Sequence, residues 1–212
     1  MNVTTTRPAA RTDVAPATHP DAPTASTVRN HGLALAAGAG AWSAVSFAYG
    51  YNPDSELGMK LADISGFAFQ IGAFVLVGLQ MRTRATGLGR KALGMLKVER
   101  VLLSLAMLWS LLHAFLPSQR EETWMLVLDV FWPLSMLGMF VIGVKIAFAG
   151  RWTGPARFWP LVAESWAVVT IPAMGIFGAT AGDYVGATHL LVGYTALGLL
   201  IATRPRLVGA RD

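Results

Sequence analysis

Four ionisable side chains lie in four different apolar segments of this 212-residue sequence: Asp63, His113, Asp129 and His189. With a rise of about 1.5 Å per residue, helices through these segments would bring all four to a similar depth. Imidazole and carboxylate together are ligands for zinc, iron or manganese. The same outer polar cluster could instead relay protons or bind a cationic solute, or each side chain could only hydrogen-bond a neighbouring helix. The sequence leaves these three interpretations open.

A second group of charged side chains lies near the opposite ends of the apolar segments. Its members are Glu99, Arg100, Lys145 and Glu164, whose formal charges sum to zero. Glu164 is the deepest carboxylate of the fifth segment, and a buried carboxylate is costly unless a cation pairs with it. We therefore predict an inner ion-pair cluster in which Glu164 pairs with Arg100 or Lys145.

Catalytic and cofactor motifs are scarce in this chain. The absence of cysteine excludes disulfides, thiolate metal sites and cysteine nucleophiles. No G-x-S-x-G, H-E-x-x-H, Walker or G-x-G-x-x-G pattern occurs. Residues 188–193, which contain His189, resemble the histidine segment of rhomboid intramembrane proteases, but the Gly-x-Ser-Gly nucleophile motif of that family is absent. A haem between His113 and His189 would need space for a porphyrin between two helices. Whether the chain is an enzyme, and which cofactor it binds, stay unknown from the sequence.

The elements that position these residues are six apolar runs, each close to the roughly 20 residues that cross a bilayer as a helix. Short connections with Pro, Gly or Asn separate the runs, and none could hold a soluble domain. The runs cover residues 32–50, 60–81, 92–116, 123–149, 158–179 and 183–203. We predict an all-α fold, a polytopic membrane bundle of six transmembrane helices.

Composition supports a membrane protein. The chain is 54% hydrophobic and only 14% charged, whereas a soluble domain has about 25% charged residues. The net charge of +5 comes from basic residues in short loops, which favours a lipid bilayer as partner and argues against nucleic acid. Arginine outnumbers lysine by 13 to 4, which suggests a GC-rich bacterial genome and a plasma-membrane location.

Basic loop residues predict the orientation of the bundle, because Lys and Arg are retained on the cytoplasmic side. The opposite loops carry only Lys60 and Arg120 among several acids. We therefore predict both termini in the cytoplasm, with lipid head-group contacts from Arg82, Arg84, Arg90 and Lys91. The basic residues on the predicted cytoplasmic side are Arg7, Arg11, Arg29, Arg82, Arg84, Arg90, Lys91, Arg151, Arg157, Arg204, Arg206 and Arg211.

Small and polar residues mark the helix faces that should pack together, because membrane helices associate through such residues. Asp63, Glu99, His113 and His189 each share a helical stripe with Gly, Ala or Ser. The last segment carries an opposite stripe of Leu190, Leu197 and Ile201, which we expect to face lipid. Prolines 133, 160 and 172 should bend their helices.

The domain prediction is a disordered cytoplasmic tail over residues 1–30, the membrane domain over 31–204 and a short cytoplasmic tail over 205–212. The Thr-, Ala- and Pro-rich composition of the first segment cannot bury enough apolar surface to order it. The function that fits best is a small transport-type or accessory membrane protein, with a membrane partner or a homo-oligomer possible. The alternative is a membrane-embedded enzyme or a metal- or haem-binding protein that uses the outer polar cluster.

Overall fold

The computed structural model describes residues 22–212, and within that range the chain is all-helical. The predicted tail before residue 22 lies outside the described residues. A π-helical turn at Leu191–Thr195 joins the last two helices, and 3₁₀ turns cover Pro117–Gln119 and Pro205–Val208. The helices are α1 Ala25–Tyr49, α2 Glu56–Arg82, α3 Arg90–Phe115, α4 Thr123–Asp129, α5 Phe131–Ala149, α6 Pro155–Glu164, α7 Trp166–Phe177, α8 Ala179–Leu190 and α9 Ala196–Thr203.

Five of the resulting helical rods are long and apolar enough to cross a membrane. They are α1, α2, the α4–α5 rod over Thr123–Ala149, the α6–α7 rod over Pro155–Phe177, and the rod Ala179–Thr203. These rods indicate an integral membrane protein with a lipid environment. Helix α3 has a similar length but carries Arg90, Lys91, Lys97, Glu99 and Arg100 in its first half.

The first helix begins earlier than the apolar pattern indicates. Thr24 has extended backbone angles, and its hydroxyl accepts a hydrogen bond from the Thr27 amide at 3.3 Å, so it caps α1. Residues 25–30 are therefore helical, although their polar composition placed them in the predicted tail. The cap adds about two turns that hydrophobicity alone does not reveal.

The two ends of the described chain lie side by side. The Ala25 amide donates to the Arg211 carbonyl at 2.9 Å, and the Arg211 amide donates to the Pro23 carbonyl at 3.0 Å. Val208 is buried as well. The segment 205–212, which we predicted as a tail, is thus packed against the start of α1.

Interruptions divide three of the rods. The break between α4 and α5 falls at Val130, and Pro133 cannot donate to the carbonyl four residues earlier, that of Asp129. The α6–α7 break at Ser165 follows Pro160 by five residues. Pro172, in contrast, lies inside α7, which continues past it.

Helix α1 packs on α2, α8 and α9. Glycines allow very close approach here: a Cβ at Gly198 of α9 would lie 2.5 Å from the Gly32 carbonyl oxygen of α1. A Cβ at Gly38 would likewise lie 2.5 Å from the Ala68 carbonyl oxygen of α2. Such small-residue contacts let membrane helices gain packing energy without a hydrophobic driving force.

The predicted packing faces are mostly confirmed, with one error. Asp63 and Glu99 are buried and His113 and His189 are half-buried, as their stripes indicated. The stripe of Leu190, Leu197 and Ile201 was expected to face lipid, but these side chains are at most 1% exposed. Leu190 follows the buried Gly186 by four residues, and Leu197 follows the buried Gly193 by four, so the leucine stripe lies beside the small-residue stripe on one helical face rather than opposite it.

Candidate functional site

A cavity of about 470 Å³ lies where α1 and α3 end, where α2 begins and where α4 gives way to α5. We call it the aromatic cavity. Its walls combine five aromatic rings with two aspartates and one histidine. The lining residues are Trp42, Tyr51, Asn52, Met59, Ala62, Asp63, Gly66, Trp109, Ser110, His113, Asp129, Trp132, Pro133, Trp166, Ile171 and Met174.

Three tryptophans from three rods form one wall. Trp132 meets Trp166 nearly edge-on with ring centroids 5.3 Å apart, and it meets Trp42 at 5.9 Å. Trp42 and Trp166 are 5.5 Å apart. Edge-to-face contacts of this kind fix the planes of large rings and are favourable beyond simple burial. The indole N–H of Trp166 donates to the Gly186 carbonyl at 3.0 Å, which fixes its orientation further.

Tyr51 closes the same wall from the loop after α1. Its ring centroid lies 5.4 Å from that of Trp42 and 5.5 Å from that of Trp166. Its amide donates to the Asp183 carboxylate at 3.3 Å. Burial raises the pKa of Tyr51. The phenol is therefore neutral at physiological pH, and the anionic groups of the cavity are its aspartates.

An aspartate–histidine pair lies on the facing helices. His113 Nδ1 of α3 donates to Asp63 Oδ2 of α2 at 2.7 Å, with side chains 15% and 8% exposed. The His113 ring stacks on Trp109 with centroids 4.7 Å apart. This bond fixes both the tautomer and the plane of the imidazole. Asp129 lines the same cavity near His113 but forms no hydrogen bond or ion pair with any described residue.

Arg120 links helices α2 and α3 beside the aromatic cavity. Its guanidinium forms a two-point ion pair with Glu56, with N···O distances of 2.9 and 3.1 Å. Its Nε also donates to the His113 carbonyl at 2.9 Å. A bidentate pair is geometrically specific. It links the beginning of α2 to the end of α3, the two helices that carry Asp63 and His113.

His189 is separated from the other members of the predicted outer polar cluster. Its Nε2 lies 3.2 Å from the Ser165 hydroxyl, and its ring lies near Gly193. It does not line the aromatic cavity. Between residues 22 and 212, no group of three or more His, Asp or Glu side chains could hold a metal ion. Of the predicted outer polar cluster, Asp63, His113 and Asp129 therefore lie at one cavity. His189, the predicted fourth ligand and second haem histidine, lies apart from them.

The inner carboxylates are held by neutral donors. Gln80 of α2 donates through Nε2 to Glu164 Oε1 at 2.8 Å, and Ser135 of α5 donates to Glu99 Oε1 at 2.7 Å. Both glutamates are buried, and Glu164 is fully inaccessible. Glycines of α5 make room for them: a Cβ at Gly143 would lie 2.8 Å from Glu164 Oε2.

The ion pair that we expected at Glu164 is not formed in the described structure. The Arg100 guanidinium instead lies over the Phe74 ring, 4.2 Å from its centroid, and Lys145 is exposed. Arg100 follows Glu99 directly, so the two side chains leave α3 about 100° apart. Neither predicted basic residue is therefore the partner of Glu164, whereas Gln80, a neutral residue near the end of α2, is.

A second cavity of about 320 Å³ lies at the opposite end of α2, between α1, α2 and α3. Basic groups of His31, Arg82 and Arg100 line it together with Phe74 and Met81. Of the predicted lipid contacts, Arg82 is the one at this cavity, and Arg84, Arg90 and Lys91 are exposed in and after the α2–α3 loop.

Neither protein-family models, nor curated proteins, nor solved structures yield a significant match to this chain. Its function must therefore be argued from its own residues. Sequence reasoning found Asp63, His113 and Asp129 but missed the tryptophans of the cavity. A usable signal was present, since Trp42, Trp109 and Trp166 lie inside apolar segments rather than at their ends, where interfacial tryptophans concentrate.

Proposed function

We propose that this protein is a transport-type or accessory membrane protein that takes up a small solute into the aromatic cavity from outside the cell. The observation that carries the proposal is the cavity itself. At about 470 Å³ it lies within the roughly 300–1,000 Å³ typical of small-molecule sites. Its mostly apolar walls with a few convergent polar groups also match such sites.

The proposal requires the cavity to open on the outer side, and therefore six membrane crossings with both termini inside. The backbone hydrogen bonds of Arg211 to Pro23 and Ala25 support this count, since termini on one side require an even number of crossings. Five rods qualify by length and composition. Helix α3 supplies the sixth crossing, with its basic first half on the cytoplasmic side.

Lipid contacts complete the proposed arrangement. Arg82, Arg84, Arg90 and Lys91 contact anionic head groups of the cytoplasmic leaflet, and the cavity beside Arg82 and Arg100 favours this because its guanidinium groups suit phosphate. The host membrane is the bacterial plasma membrane, as the arginine-rich composition suggests.

A metal- or haem-dependent enzyme is less well supported. Asp63 and His113 satisfy each other at 2.7 Å, and His189 is bonded to Ser165. Too few ligands therefore converge, among residues 22–212, for a metal site of the usual coordination number.

The natural absence of cysteine allows a direct test of cavity access. Ala62 lines the aromatic cavity, whereas Ile64, two residues further along α2, points outward and is 41% exposed. We expect Ala62→Cys to react with a sulfonated, membrane-impermeant maleimide added to intact cells. Ile64→Cys should stay unreactive, because a thiol facing lipid does not ionise.

The comparison is decisive because both thiols lie at nearly the same depth on one helix. Equal reactivity of the two variants would contradict a water-filled cavity. If Ala62→Cys is unreactive in intact cells but reacts in inverted membrane vesicles, the cavity opens to the cytoplasm and the proposal is wrong.

A further inference from the structure

We propose that the ligand of the aromatic cavity is an organic cation of quaternary-ammonium type. The inference rests on the proposed function, because it names the solute class for the same cavity. It depends on three features of the walls: ring faces, unbalanced negative charge and the lack of metal-ion geometry. Each feature is a property of described residues.

The ring faces come first. Trp42, Trp132, Trp166 and Tyr51 all line the cavity and pack together with neighbouring centroids less than 6 Å apart, and Trp109 lines it beside His113. The face of an indole carries negative potential and attracts a cation within about 6 Å, more strongly than phenol or benzene does. Several tryptophans around one space are the arrangement that recognises methylated ammonium groups, which are poorly hydrated and fit an apolar cage.

The second feature is charge. Asp129 carries no ion pair or hydrogen bond within the described chain, although it lines the cavity. Asp63 is bonded to His113, so the cavity has two carboxylates and one imidazole. Nearby cations are used elsewhere, because Arg120 is bound to Glu56 and Lys60 lies over the Phe115 ring at 5.0 Å. The carboxylates therefore outnumber the basic groups at the cavity, and a cationic ligand would balance this excess of negative charge.

The third feature excludes a bare divalent metal ion from this site. A metal ion needs three or more ligating groups at short distance, and the residues between 22 and 212 offer no such group. A bulky cation spreads its charge over a larger surface and needs one or two carboxylates at longer range. Dispersed aspartates and large rings suit that requirement.

The test uses choline and its uncharged isostere 3,3-dimethylbutan-1-ol, which replaces the quaternary nitrogen by carbon. Binding to the purified full-length chain in detergent can be followed by calorimetry and by quenching of the cavity tryptophans. We expect choline to bind at least about tenfold more tightly than the alcohol, since only the charged compound gains desolvated cation–π contacts. Asp129→Asn should weaken choline binding about tenfold and leave the binding of the alcohol unchanged.

Two variants accompany Asp129→Asn. Glu121→Gln is the matched control, because it removes one exposed carboxylate from the same region without touching the cavity, and choline binding should be unchanged. Trp109→Leu keeps an apolar wall but removes a ring face, and it should weaken choline binding more than binding of the alcohol. A melting curve of each variant establishes that it is folded.

The outcomes separate this inference from the proposed function. Equal affinities for choline and the alcohol, with no effect of Asp129→Asn, would overturn the cation assignment and leave a cavity for neutral solutes. If Ala62→Cys is labelled from outside but neither compound binds the chain, the cation assignment is also overturned. The access of the cavity to the outside would still stand. An unlabelled cavity would instead reject the proposed function.

Discussion

Glu164 illustrates how a buried carboxylate can be accommodated without a cation. Its Oε1 accepts from Gln80 at 2.8 Å, and its other oxygen has no hydrogen-bond partner among the described residues. The neighbouring carboxylate, Glu99, is likewise bonded to a neutral hydroxyl. The side chain at Glu164 therefore acts here as a hydrogen-bond acceptor within the packed interior, and the loss of its charge would strand no basic partner.

We predict that Glu164→Gln changes the thermal stability in detergent only slightly. Glutamine has the same shape and retains an acceptor for the Gln80 amide. Glu164→Ala should be worse by about 1–3 kcal/mol, because it leaves that buried amide without a partner and opens a cavity. Melting temperatures of the two variants provide the measurement. Equal destabilisation by Gln and Ala would show that the charge of Glu164 is what matters.

Residue types in the sequence predicted part of the candidate site. The rest depends on the direction and the length of each side chain on its helix. Asp63, His113 and Asp129 converge because each is polar within an apolar segment and must find the bundle interior. Arg100 and Lys145 did not pair with Glu164, because long basic chains can reach rings or the exterior instead. The spacing of residues along the sequence does not show which group a long basic side chain will reach.

At the scale of elements, close packing of α1 on α9 depends on two facing glycines. A Cβ at Gly198 would lie 2.5 Å from the Gly32 carbonyl oxygen and 2.6 Å from the Ala36 amide nitrogen. Both contacts are to backbone, which cannot move aside by a rotamer change.

Gly198→Ala should therefore destabilise the protein by about 1–3 kcal/mol, the usual range for overpacking. Gly94→Ala is the matched control, because a Cβ at Gly94 on α3 would meet no atom within 4 Å. There the gain of up to about 1 kcal/mol in helix propensity should leave stability equal or higher. Thermal unfolding in detergent compares the two. A harmless Gly198→Ala would mean that α1 and α9 can separate without loss.

The helices themselves were largely predictable, and their irregularities were not. Apolar length located all the rods, because about 20 apolar residues are needed to cross a bilayer. Pro133 was predicted to bend its helix, and the helix is interrupted at Val130, since the mechanism is local. The π-helical turn at Leu191–Thr195 has no proline within it or just before it, so the local sequence does not indicate it.

At the scale of the whole molecule, the two ends of the described chain lie together at one end of the bundle. The aromatic cavity lies at the other end. Ala25 and Arg211 pair at one end, whereas Tyr51, His113 and Asp129 gather at the other. A six-span arrangement with cytoplasmic termini would thus turn the cavity outward. A five-span arrangement, with α3 lying outside the bilayer, would place the two termini on different sides and is hard to combine with their hydrogen bonds.

We predict that a reporter fused after Asp212 behaves as cytoplasmic, whereas reporters inserted near Asp54 or Gln119 behave as external. The reason is the concentration of basic residues in the loops on the side of the termini, which membrane insertion retains in the cytoplasm. Replacing Arg82, Arg84, Arg90 and Lys91 by neutral residues should weaken or scramble the orientation, because these four residues flank the entry into α3, the most charged of the membrane-length helices. Neutralising the exposed acids Glu121 and Glu122 is the control and should leave the reporter signals unchanged, since acids contribute little to orientation. An external signal after Asp212 together with an external signal at Asp54 would require an even number of crossings between them, so one of the five intervening helical rods, such as α3, would have to lie outside the bilayer.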